Sequence, residues 1–241
     1  MDRFVLFGGQ HLGALAAIAV ATVLAVRFVR RDPRSGRARG LRLALGVLLP
    51  GLFAVEYLGA WREGWLTLQV VLPLHLCDVA RLLAAVGLLS LDRRLVEPLY
   101  FFALAGTVPA LLTPDVTEPF PSFRTVLFFV PHGLTVLATC LLVWGFGLVP
   151  SARAWWRSWL QLNAYAAVVG ALNWTLGTNF LYLAAKPPSP TPFDWFGPWP
   201  WYVGTLELLT LGTFLALDLP LRASGRRSAA SRSHGRNADA T

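Results

Sequence analysis

The stretch LPLHLCDVARLL, Leu72–Leu83, places His75, Cys77, Asp78 and Arg81 inside what otherwise reads as a bilayer-crossing segment. Ionisable groups in lipid cost several kcal/mol each unless they pair or face a polar cavity, so such a cluster marks a functional site by default. The surrounding composition supports the membrane reading. Of the 241 residues, 55% are hydrophobic and only 14% charged, and the mean hydropathy is +0.54. A soluble domain of this length carries more charge on its surface.

Working outward, apolar runs of the length needed to span a bilayer (about 20 residues) can be laid along most of the chain. Seven are expected, at 11–29, 41–61, 67–89, 96–113, 124–147, 160–185 and 199–220. The fold class is therefore an all-α, polytopic transmembrane bundle, residues 1–221, followed by a basic tail, 222–241, with too few apolar residues to fold. The fourth run, VEPLYFFALAGTVPALL, is short and holds Pro98 and Pro109, so a re-entrant piece beside six full spans is the alternative.

The net charge of +8 and the pI near 10.5 follow the spans. Arg27, Arg30, Arg31, Arg34, Arg37, Arg39 and Arg42 fill the loop after the first run. Arg93 and Arg94 lie two runs later, Arg153 and Arg157 two runs after that, and Arg222, Arg226, Arg227, Arg232 and Arg236 in the tail. The intervening loops balance Arg62, Arg124 and Lys186 with Glu63, Asp115, Glu118 and Asp194. This alternation is the positive-inside pattern; it predicts an external N-terminus, a cytoplasmic C-terminus and an odd number of spans in the cell membrane. The basic charge thus points to anionic lipids as partners and not to nucleic acid. The stretch MDRFVLFGGQ lacks the basic start of a cleavable signal. Cys77 and Cys140 both lie in apolar runs, so no disulfide framework is indicated.

Helical spacing puts His75, Asp78 and Leu82 on one stripe, with Asp78 and Arg81 three apart and able to neutralise each other. Such a pair is as well explained by structure alone. Cys77 lies about 200° round an ideal helix from His75, at 100° per residue, unless Pro73 distorts the turn. His132 follows Pro131 in FVPHG, where a kink would turn the imidazole inward. A lone buried histidine is usually a satisfied core residue; two in separate spans point further towards function. Asn173, Gly170 and Gly177 in the sixth run form a small-residue face, with Thr178 and Asn179 extending its polarity. They suit helix packing, or a polar headgroup. Glu56 and Glu207 are the remaining membrane acids, and either can partner Arg81 or a histidine. The loop KPPSPTPFDWFGPWPWY, Lys186–Tyr202, brings Trp195, Trp199, Trp201 and Tyr202 to an interface, as an anchor or a rigid cap.

LPLHLCD, FVPHG, and LGTNFLYLAAKP followed by GPWPWY resemble the bacterial YwaF-like integral membrane family over roughly residues 1–220. That family is distantly similar to a eukaryotic transmembrane acyltransferase that places polyunsaturated chains on ether phospholipids. The resemblance implies that Cys77 is a nucleophile and that His75 or His132 is its histidine. Asp78 belongs to no motif of that kind but stands beside them.

Three functions compete on these residues. An acyltransferase needs a thiolate, a base and oxyanion donors, roles open to Cys77, His132 and Asn173 or Asn179, with no cofactor. Apolar surroundings oppose thiolate formation, and Arg81, on the same helical face as Cys77, opposes that in turn. A transporter would instead line a solute or proton path with His75, Asp78, Arg81, Glu56 and Glu207, although no internal repeat is visible. A binding or regulatory protein would hold the cluster for structure alone. No Walker loop, HExxH or GxSxG motif is present.

Overall fold

The computed structural model describes residues 3–187 and 192–238, and every regular element among them is helical. The order is α1 (Gly9–Arg31), α2 (Gly36–Arg62), α3 (Leu68–Val71), α4 (Leu76–Ser90), α5 (Arg93–Phe102), α6 (Val108–Leu112), α7 (Phe123–Cys140), α8 (Ala154–Leu176) and α9 (Trp201–Ala238). Wider π turns join α5 to α6 at Ala103–Thr107 and extend α7 over Leu141–Gly145.

Local sequence accounts for the helix ends. Ser35 caps α2 by accepting from the Ala38 N–H, and Asp92 caps α5 by accepting from Arg94 N–H at 2.9 Å. The π turn before Pro109 lets the chain absorb a residue that has no N–H to give. The proposed re-entrant fourth segment therefore does not break. Arg93–Leu112 runs on as one helical path of 20 residues, long and apolar enough to cross a membrane.

Six such paths exist among the described residues: Gly9–Arg31, Gly36–Arg62, Leu68–Ser90, Arg93–Leu112, Phe123–Gly145 and Trp201–Arg222. The sixth expectation, 160–185, is displaced. Its helix is α8, which starts earlier, through the AWWRSWLQ stretch, and stops at Gly177 in the left-handed conformation that glycine tolerates. At 23 residues α8 has the length of a span, but Arg157, Gln161, Asn163 and Asn173 make it less apolar than the other six. The third expectation is also changed. Pro73 interrupts 67–89, leaving Leu72–His75 between α3 and α4. Helix α9 continues through the basic tail to Ala238, where the sequence reading expects no fold of its own; residues 239–241 and, in the proline-rich loop, 188–191 lie outside the described residues.

Contacts tie the helices into two ends. At the basic end Arg42 donates to the Leu88 and Leu89 carbonyls that finish α4, and Glu97 gathers Arg157 at 2.7 Å and Arg93 at 3.8 Å. The Tyr100 hydroxyl reaches the Leu217 carbonyl of α9 at 3.1 Å. At the other, aromatic end, Phe4 N–H donates to Thr117, Gln10 exchanges contacts with Phe120, and Glu63 pairs with Arg124 at 3.4 Å. Between them the core packs Ala80, Ala84 and Leu88 of α4 against Leu99–Phe102 of α5, Leu137–Val143 and Phe214. Of the residues expected at the interface, Trp195, Trp199 and Trp201 are exposed, whereas Tyr202 is buried and its hydroxyl donates to the Tyr182 carbonyl at 2.6 Å, so Tyr202 packs inside the protein and is no part of a belt.

Candidate functional site

The break at Pro73 builds the site. Because α4 begins at Leu76, His75 is not part of a helical stripe with Asp78 and Leu82. It is the N-cap, in extended conformation, and the Asp78 carboxylate folds back to accept the His75 N–H at 3.2 Å. The carbonyl of Leu74, freed by the interruption, accepts the Tyr165 hydroxyl of α8 at 2.8 Å. The His75 ring packs edge-on to Phe180 and against Tyr182, with centroids 5.3 and 5.6 Å away, and its Nε2 lies 3.4 Å from Gln69 Nε2.

Cys77 occupies the first turn of α4, with its sulfur close to the Asp78 N–H. The first N–H groups of a helix have no intrahelical acceptor. Here those of Asp78 and Val79 turn to the His75 carbonyl, while those of Leu76 and Cys77 have no backbone partner among the described residues. A pair of unspent donors thus flanks the thiol.

Arg81, one turn further on, is almost fully buried. Its Nη2 lies 3.1 Å from Glu56 of α2 and 3.6 Å from Asp78, and its guanidinium carbon sits 3.2 Å from the centre of the Phe53 ring. The sequence left Glu56 and Glu207 equivalent; the fold chooses Glu56. Glu207 of α9 accepts instead from Asn163 of α8 at 3.0 Å.

His132 of α7 hydrogen-bonds through Nδ1 to the Phe128 carbonyl at 2.7 Å and stacks on the Phe128 ring, centroids 4.3 Å apart. A carbonyl can only accept, so Nδ1 carries a proton, and in the neutral ring Nε2 keeps its lone pair. Among the described residues Nε2 has no hydrogen-bond partner. The ring lies within electrostatic reach of Arg81 and His75, and α7 packs along α4.

Asn173, Thr178 and Asn179 are brought close, but their polar groups are committed. Asn173 accepts from Thr178 Oγ1 and Phe180 N–H and donates to the Phe180 carbonyl, all at 2.9 Å. Asn179 accepts from the N–H groups of Ala184 and Ala185, donates to the Ala185 carbonyl and gives its own N–H to Gln69. Their amides hold the loop that covers His75, which removes them as free oxyanion donors. Leu181 and Tyr182 inside this loop have φ of 57° and 53°, a left-handed conformation that non-glycine residues adopt only when their surroundings impose it.

The TMEM164 family profile matches residues 6–218, the whole helical region up to the last turns of α9. The chain belongs to the TMEM164 family. No curated protein and no solved structure matches it. Membership carries the reading of an integral membrane protein; the YwaF-like label of the sequence motifs stays a resemblance.

Two features of this family member escaped the sequence reading. Gln69, Tyr165 and Phe53 shape the site from neighbouring segments, and no local pattern announces that. His11, at the start of α1, is fully buried: Nδ1 accepts the Phe7 N–H and Nε2 reaches the Leu111 carbonyl, both at 2.9 Å. With both nitrogens satisfied, it bolts α1 to α6 and belongs to the scaffold.

Proposed function

We propose that this is a seven-span enzyme of the cell membrane, N-terminus outside and C-terminus cytoplasmic, that moves acyl chains between phospholipids through Cys77. The alternating arginines and the length of α8 support the seven spans and their direction. The observation that carries the chemistry is the position of Cys77 in the first turn of a helix that begins inside a membrane-spanning path, beside two unspent backbone donors.

In this reading His132 Nε2 takes the thiol proton as Cys77 Sγ attacks the carbonyl carbon of a phospholipid ester. The N–H groups of Leu76 and Cys77 stabilise the oxyanion, and the positive end of the α4 dipole favours the same charge. The ester C–O bond breaks, the departing glycerol oxygen receives the proton from His132, and a lysophospholipid leaves the acyl chain on sulfur as a thioester. The hydroxyl of a second lysophospholipid then attacks. Its proton passes to His132 and on to Sγ, regenerating the thiol. Asp78 and Gln69 position His75, and Arg81 with Glu56 fixes the first turns of α4.

The conducting alternative rests on the same charged residues. Those charges are spent on one another, Glu56 and Asp78 on a single guanidinium nitrogen, which favours transfer over a solute path.

The test is incubation of the purified protein in lipid nanodiscs with a phospholipid carrying an isotope-labelled chain and an unlabelled lysophospholipid acceptor. Label should appear on the acceptor and, in acid-quenched samples, on the peptide containing Cys77. Transfer without any Cys77 thioester, undiminished in Cys77→Ser, overturns the mechanism.

A further inference from the structure

Helix α1 is the least enclosed of the spans: only 11% of its apolar stretch is buried within the protein. It is nevertheless fastened at two places. Near its start His11 holds the Leu111 carbonyl of α6. Near its end Val29 is fully buried against Gly145, where an added Cβ would stand 3.3 Å from Val29 Cγ1. Between them, at the level of Ile18, α7 comes closest, and only because residue 133 is glycine; a Cβ there would lie 2.7 Å from Ile18 Cγ1.

Beside that contact the surfaces part. Leu15, Ile18, Ala19, Thr22 and Val23 recur at three- and four-residue spacing, the stripe with which an amphipathic helix meets a neighbour. Facing them are Val108, Leu111 and Leu112 of α6 and Val136 of α7. The stripe does not close on these residues. It leaves a groove of about 310 Å³, apolar except for Thr22, with Ala19, Val23 and Leu112 exposed at its edge.

We propose that this groove holds one acyl chain of a bilayer phospholipid, entering from the leaflet at the aromatic end. Three features select that occupant. All three lining segments belong to membrane-crossing paths, so the groove opens to hydrocarbon and not to water. Along α1 it extends from Leu15 to Val23, about 12 Å at the helical rise, so it has the length of a chain segment and not of a point contact. Its volume is roughly twice that of an apolar cavity of ~150 Å³ that stays dry and takes a benzene ring. Unfilled, its walls would forfeit dispersion contacts that a flexible chain restores. Val136 in its wall lies one helical turn along α7 from His132, which ties the groove to the proposed base through that helix. That last step rests on the Cys77 reading; occupancy of the groove does not.

The experiment uses the full protein in phosphatidylcholine vesicles doped with a phosphatidylcholine whose acyl chain carries a diazirine. After irradiation, label should concentrate on peptides containing Leu15–Val23 and Val108–Leu112. It should be lost in Ala19→Trp, which fills the groove, and kept in Ala17→Trp, which adds the same bulk elsewhere on α1. Label spread evenly over all lipid-facing helices, or unchanged in Ala19→Trp, overturns the proposal, as does crosslinking of α1 to a second copy of the chain. Cys77→Ser should retain the groove label. If the groove is labelled but Cys77 is never acylated, the enzymatic reading fails and the lipid site stands.

Discussion

The guanidinium of Arg81 and the carboxylate of Glu56 join α4 to α2 across 3.1 Å, with side chains only 4% and 28% exposed. Removing one member of such a pair leaves the other charge buried and uncompensated, which costs about 3–5 kcal/mol, whereas replacing both by apolar groups is often close to neutral. Arg81→Leu is therefore expected to lower the unfolding midpoint in detergent sharply, and Glu56→Leu added to it to recover part of the loss, Asp78 still lacking its partner. A double variant as unstable as the sum of the singles would show that the pair is not the relevant contact.

Cys77→Ser should abolish acyl transfer with expression and thermal stability unchanged, while Cys140→Ser should keep activity. Cys140 sits buried in the apolar run of α7, where it acts as a small hydrophobe. His132→Ala should match the Cys77→Ser loss, and Cys77→Ser/His132→Ala should be no worse than either, since both serve one step. Full activity in Cys77→Ser combined with its loss in Asp78→Asn or His75→Ala would move the function to proton coupling.

Asn173→Ala should loosen the Phe180–Ala185 loop before it affects anything else. It strands the Phe180 N–H and carbonyl at a buried site, at about 1–3 kcal/mol for each unpaired group. Limited proteolysis between Thr178 and Lys186 reads this directly. Unchanged cleavage would return Asn173 to the pool of ligand-binding residues.

Gly133→Val should separate α1 from α7, because the new side chain meets Ile18. Overpacking of this kind costs about 1–3 kcal/mol. Ile18→Ala in the same chain should restore stability, measured by thermal unfolding. Absence of rescue would place the conflict elsewhere on α7.

A reporter fused after Leu221 should be cytoplasmic and one at Phe193 external, following the arginine alternation. Both on one side would remove an odd number of spans between them and with it the seven-span topology.

Much of this protein was legible in its sequence. Runs of apolar residues are local, and so is the alternation of arginines, so the spanning helices and their two chemically distinct ends could be read without a fold. The cluster from His75 to Arg81 stood out for the same reason, because charge in lipid is costly wherever its partner lies. What the sequence misjudged was geometry at breaks. His75 looked like one point of a helical stripe, yet Pro73 turns it into a cap, and the helix expected over 160–185 ends at Gly177.

The pairings belonged to the tertiary structure alone. Nothing in the chain distinguishes Glu56 from Glu207 as the acid for Arg81, and nothing marks Asn173 as a loop clamp or His11 as a bolt. Helices surrounded by lipid are apolar on every face, so periodicity does not reveal which side meets a neighbour. Only the packed arrangement, set by close approaches such as Gly133 on Ile18 and by the break in the third span, decides which distant polar groups meet.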